Sequence, residues 1–141
     1  MRLQRASAAL AYAFALTIGA CGDNGPSVPT QQSVAGTYVA TTLLTTTGGV
    51  TTNQLAAGAT ITLILNADGT TSGRIFVPAS TTPQLDQSLA GTWTFFNATD
   101  IDLSSNTDTF LRDMLFTVTA NALVGDQTFG ATRIQVVLTK Q

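Results

Sequence analysis

Reactive side chains are scarce in this chain. It holds one thiol, Cys21, eight Asp, no Glu and no His. Losing His removes the side chain that most often serves as a general base near neutral pH, and the commonest metal ligand. Ser and Thr are abundant, but no Gly-x-Ser-x-Gly elbow presents one as a nucleophile. Lys140 alone does not supply a Ser–Lys dyad, and no glycine loop matches a phosphate cradle. Asn66-Ala67-Asp68-Gly69 lacks the further spaced oxygens of a calcium loop and reads as a turn. Asp100, Asp102, Asn106 and Asp108 are denser in oxygen and read as a solvated strand edge. The single Cys excludes an internal disulfide. The chain is therefore expected to be no enzyme and to hold neither metal nor cofactor.

The thiol sits in a telling place. Arg2 and Arg5 precede an apolar run, Ala8–Ala20. That run is too short to span a bilayer, which takes about 20 residues, and has the charge pattern of an export leader. It ends in Ile18-Gly19-Ala20-Cys21, which resembles a bacterial lipobox. The resemblance implies cleavage before Cys21, a diacylglyceryl thioether on its sulfur and acylation of the new amino terminus. The expected partner is then a membrane, held through Cys21. In the Gram-negative sorting pattern, Asp directly after the Cys favours the inner membrane. Here Gly22 follows and Asp23 comes one place later, so the resemblance implies a cell-envelope protein of the outer rather than the inner membrane. Without the leader, four basic residues face eight acidic ones, a net charge of −4. A weakly acidic chain with no basic cluster is not expected to bind nucleic acid.

Three segments follow: a signal peptide over 1–20, a lipidated Cys with a flexible tether over 21–33, and a folded domain over 34–141. The tether is rich in Gly, Pro, Ser and Gln, and fully extended it reaches about 40 Å. The domain alternates apolar with polar residues at period two, the mark of half-buried strands. We expect strands at 34–44, 59–65, 71–77, 89–96, 100–104, 114–120, 123–129 and 132–139. Ile61, Leu63 and Leu65 share one face, as do Gly73, Ile75 and Val77, and as do Ile134, Val136 and Leu138. Residues 45–58, 78–88 and 105–113 read as long loops, the last with a short helical turn capped near Ser105–Asp108. Asn66–Gly69 is a hairpin turn.

Eight antiparallel strands with short connections suggest an up-and-down meander, and closing it removes the exposed edges. The fold expected is all-β, an eight-stranded barrel, with a two-sheet sandwich as the alternative. In a meander the three long loops emerge at one end and the tight turns at the other. The domain begins at the tight end, so the loops face away from the tether.

Gly36-Thr37-Tyr38 opens the first strand, and Gly91-Thr92-Trp93 echoes it in mid-chain. A Gly-x-aromatic motif opening eight meandering strands resembles the lipocalin and calycin barrels in their small bacterial lipoprotein versions. Lipocalins carry Gly-x-Trp at the first site, where this chain has Tyr38. They also pack a basic residue from the end of the barrel on that aromatic, and Arg133 matches it by position. The resemblance implies a small apolar ligand or lipid in the barrel. Tyr38, Trp93, Phe95 and Phe116, with Arg133, are the candidate ligand residues; the same aromatics could equally fill a solid core. The competing function is a non-enzymatic envelope scaffold that binds or inhibits a partner protein through its loops.

Overall fold

The computed structural model describes residues 27–79 and 84–141. Cys21, the leader and the first part of the tether lie outside the described residues. The first element is a single helical turn, α1 (Gln31–Val34), which takes up the end of the stretch read as tether and the first residue expected in a strand. Thr30 caps it: its hydroxyl accepts from the Ser33 amide, and the Ser33 hydroxyl accepts from the Thr30 amide. This reciprocal pairing satisfies donors a helix start leaves open.

Ten strands follow: β1 (Gly36–Thr47), β2 (Val50–Asn53), β3 (Thr60–Leu65), β4 (Thr70–Val77) and β5 (Leu85–Ser88), then β6 (Gly91–Phe95), β7 (Asp100–Ser105), β8 (Phe116–Val118), β9 (Ala122–Phe129) and β10 (Thr132–Lys140). Every pairing is antiparallel, and β1 pairs β10. That pairing closes a meander into a barrel and removes the sandwich alternative. Two of the eight staves are built from two pieces. The first half of β1 pairs β3 and its second half pairs β2. The end of β4 pairs β5 and its start pairs β6.

The split staves correct two loop assignments. Residues 45–58 are not one loop: β1 runs on to Thr47, turns at Gly48-Gly49 and returns as β2. Both glycines have positive φ, +59° and +82°. That is the geometry of the two-residue hairpin turn whose twist suits the flanking strands. Likewise β5 begins at Leu85, inside the stretch assigned to a loop over 78–88. Around 105–113 no helix forms; the chain makes a turn in which the Arg112 amide donates to the Thr109 carbonyl. Strand β8 is also short, three residues where a strand over 114–120 was expected.

Alternation sets the interior as read from the sequence. Ile61, Leu63, Leu65, Ile75, Val77, Trp93, Ile101, Leu103, Phe116, Leu123, Val136 and Leu138 are all buried. Strand β1 departs from it. Tyr38 and Leu43 are both buried, an odd number of residues apart. Between them the register to β10 slips at Thr41. One extra residue in a strand reverses which side chains point inward. Beyond this bulge the inward positions of β1 are Leu43, Thr45 and Thr47.

Candidate functional site

The two ends of the barrel are closed differently. At the tightly turned end, Tyr38 reaches down and its hydroxyl donates to the Val34 carbonyl at 2.5 Å. Burial pushes the Tyr38 phenol above its ordinary pKa. Trp93 is also anchored there, its indole N–H donating to the Asn66 carbonyl at 2.8 Å. Phe95 meets Trp93 edge to face, with ring centroids 5.8 Å apart. Phe116 is fully buried. Val34 of α1 is buried as well, so the helical turn plugs this end. Tyr38 and Trp93 thus do what buried aromatics with a polar handle usually do, filling space while the handle finds a partner, and Phe116 only fills space.

Arg133 lies elsewhere. It stands next to Ile134 on β10 and so on the opposite, outer face, where it forms a two-pronged ion pair with Asp126. The basic residue that meets the first-strand aromatic is Lys140. Its ammonium lies 5.9 Å from the Tyr38 ring centroid and donates to the Ser33 carbonyl at 2.8 Å. Parity explains the exchange: Lys140 is an even number of residues from Ile134 and Leu138, so it shares their inward face.

At the opposite end the interior is hollow. A cup of about 400 Å³ opens between the strand ends. Leu43, Val77, Leu85, Phe110 and Ile134 make its apolar lining. Thr45, Thr47, Thr52, Thr132 and Gln54 supply its polar atoms, and Val50 sits at its edge. The hydroxyls of Thr47 and Thr132 are 2.7 Å apart, and the Gln54 side-chain amide donates to the Thr45 hydroxyl at 2.8 Å. None of Tyr38, Trp93, Phe95, Phe116 and Arg133 lines the cup. Of its own lining, Val77 and Ile134 were legible as inward residues. Thr45 and Thr47 fell in the stretch assigned to a loop over 45–58, and the bulge at Thr41 turns them inward; Gln54 and Phe110 stand where no period exists to read.

A second cavity, about 630 Å³, lies at the tight end. It is the larger of the two, yet only Tyr38 and Val118 of its lining belong to strands. The rest comes from 27–34 and the end turns, so it is a groove beneath the incoming chain. The cup, by contrast, is walled by strands on most sides, which holds its shape.

Among the described residues the Arg–Asp ion pairs lie outside the barrel. Arg74 pairs with Asp86 across β4 and β5, and Arg112 pairs with Asp108 and Asp113. These contacts draw the carboxyls of Asp86, Asp113 and Asp126 below the ordinary Asp pKa, chiefly through the hydrogen bonds from their arginines. Asp100 is lowered by bonds from Asn97 and Thr117, and Asp68 by its bonds from Thr70. Both carboxylates therefore serve their turns and strand ends. Among the described residues no group of three or more Asp or Cys stands close enough to hold a metal ion.

Neither a protein-family model, nor a curated protein, nor a solved structure matches this chain.

Proposed function

We propose that this chain is a non-enzymatic lipoprotein of the bacterial cell envelope, anchored through an acylated Cys21, whose lipocalin-like barrel takes up a small apolar ligand in the cup at its loop-bearing end. The cup carries the reading: it is a strand-walled hollow of about 400 Å³ with an apolar lining. That is within the size range of small-molecule sites. An eight-stranded barrel either fills its interior with side chains or keeps room for one small ligand. Here one half does the first and the other half the second. The approach of 27–34 at the far end supports an anchor there, with the mouth of the cup turned away from the membrane.

The ligand half is tested by titrating the protein with the neutral dye N-phenyl-1-naphthylamine. Saturable fluorescence enhancement is expected, abolished by Ile134→Arg in a protein that still unfolds cooperatively. Saturable uptake that Ile134→Arg leaves unchanged would place the site elsewhere, and no uptake would remove it. The anchor half is tested by Cys21→Ser, which should move the protein from the detergent phase to the aqueous phase. Unchanged partitioning would refute acylation.

A partner-binding scaffold is the second reading. It rests on the exposed edge of β2, which pairs only with β1, and on Val50 at its start, 70% exposed. Recovery of one envelope protein by the wild type but not by Val50→Asp would favour it.

A further inference from the structure

We propose that the cup selects an uncharged, single-chain amphiphile, with its tail in the apolar floor and a hydroxyl or ester group at the mouth, and that it rejects anions and cations of the same length. This rests on the ligand-binding reading above and narrows it to a chemical class.

The argument begins with what lines the cup. Its floor carries Leu43, Val77 and Ile134, and among the described residues no Asp, Lys or Arg contributes to its wall. The three described arginines are all engaged on the outer surface, each with an Asp. Strand parity enforces this. Arg133 adjoins inward-facing Ile134, and Asp86 adjoins inward-facing Leu85, so each charge falls on the opposite face. Lys140 points inward, but at the other end of the barrel, where it meets Ser33 and Tyr38. A carboxylate or ammonium entering the cup would lose water and gain no opposite charge, which is strongly unfavourable.

The mouth is not wholly apolar either. Thr45, Thr47, Thr52 and Thr132 place hydroxyls there. Each hydroxyl has one donor and two acceptor sites. The Thr47–Thr132 pair uses one donor and one acceptor between them, so that pair keeps a donor and further acceptors. Such groups bond an alcohol or an ester carbonyl well, and they bring no opposite charge to a carboxylate or an ammonium. A purely apolar guest would strip water from these hydroxyls and return nothing.

The test uses the full chain carrying Cys21→Ser, so that no attached acyl chain competes. Bound N-phenyl-1-naphthylamine is displaced near neutral pH with 1-decanol, decanoate and decylammonium, which share a tail and differ in charge. Decanol should compete at least about tenfold more strongly than either ion. Equal or stronger competition by decanoate would overturn the selectivity and leave the cup as a ligand site. If none of the three displaces the dye, the cup is not a site for amphiphiles, and this inference falls with it. A second variant checks the orientation. Thr132→Lys puts an ammonium at the mouth, on a residue that is already partly solvated. It should raise decanoate affinity by about tenfold through a charge-assisted bond. An unchanged ratio of decanoate to decanol would mean that the polar end does not lie at the mouth.

Discussion

Along β1 the inward side chains run Tyr38, Ala40 and Leu43, then Thr45 and Thr47 at the mouth. Along β10, read from the same end, they run Leu138, Val136, Ile134 and Thr132. The two strands are paired throughout this length. A backbone cylinder of nearly constant width is therefore filled by large residues at the tight end and left open by small ones at the mouth. The difference between the two ends needs no change of architecture. It lies in side-chain volume at equivalent inward positions, aided by one bulge that brings threonines into the wall. The base holds the fold together, and the mouth can be hollow because the base is solid.

The sharpest way to break this contrast is to empty the base. Trp93→Ala removes a fully buried indole and one of the two donors to the Asn66 carbonyl, which keeps the Gly69 amide. The expected loss is about 3–5 kcal/mol by urea unfolding. Ile134→Ala in the half-exposed wall of the cup should cost less, under about 2 kcal/mol, because less apolar surface leaves the interior. Equal costs would mean that both ends carry the fold alike. The opposite insult, overfilling, is made at Gly125. A Cβ there would lie 2.2 Å from the Met114 sulfur and 3.0 Å from both Phe116 and Val136. The thioether can swing aside, but the ring and the valine methyl are boxed in. Gly125→Ala should therefore destabilise by about 1–3 kcal/mol, read as a lower urea midpoint at unchanged slope.

A smaller effect is expected where the plug meets the base. Tyr38→Phe keeps the ring and removes the donor to the Val34 carbonyl. The cost is about 1–3 kcal/mol, the penalty of leaving a buried carbonyl without its partner. Its distinctive sign is local: the amides of Val34 and Ala35, which bond back to Thr30 and Gln31, should exchange faster. Unchanged protection there would show that α1 is held by Lys140 and Val34 packing instead.

These elements differ in how far they could be read in advance. Where a strand keeps strict alternation, as β3, β4, β7 and β10 do, the buried face was legible residue by residue. Asn66–Gly69 was legible as a turn because its residue types answer to backbone angles. The cup was not, for three physical reasons. A bulge leaves no mark in the types of Ala40, Thr41 and Thr42, yet it reverses the faces of everything after it. Gly48-Gly49 suits a loose loop as well as a tight hairpin, and only pairing decides. Gln54 and Phe110 come from segments with no period. Arg133 was nominated by its place near the chain's end, although the parity that puts Ile134 inside already puts Arg133 outside. Size was the remaining blind spot: an aromatic on an inward face looks the same whether it meets a ligand or other side chains.

The least effect is expected from the outer charges. Asp86, Asp113 and Asp126 accept from arginines, and Asp68 and Asp100 from Thr and Asn side chains. All five carboxyls are held below their ordinary pKa, about 3.9 in an unfolded chain. A lowered folded value means that the unfolded state takes up protons first. The stability these groups contribute is thus complete above the ordinary Asp range and is lost as pH falls through the lower folded values. Because all are open to water, the individual contributions are small and weaken further with salt. Unfolding midpoints measured from pH 6 downward should stay flat to about pH 5 and then decline. Asp126→Asn should make that decline shallower while leaving dye uptake by the cup unchanged. If instead the variant lost dye binding, charge on the outer face of β9 would be coupled to the hollow behind it, and the separation between a charged exterior and a neutral cup would have to be abandoned.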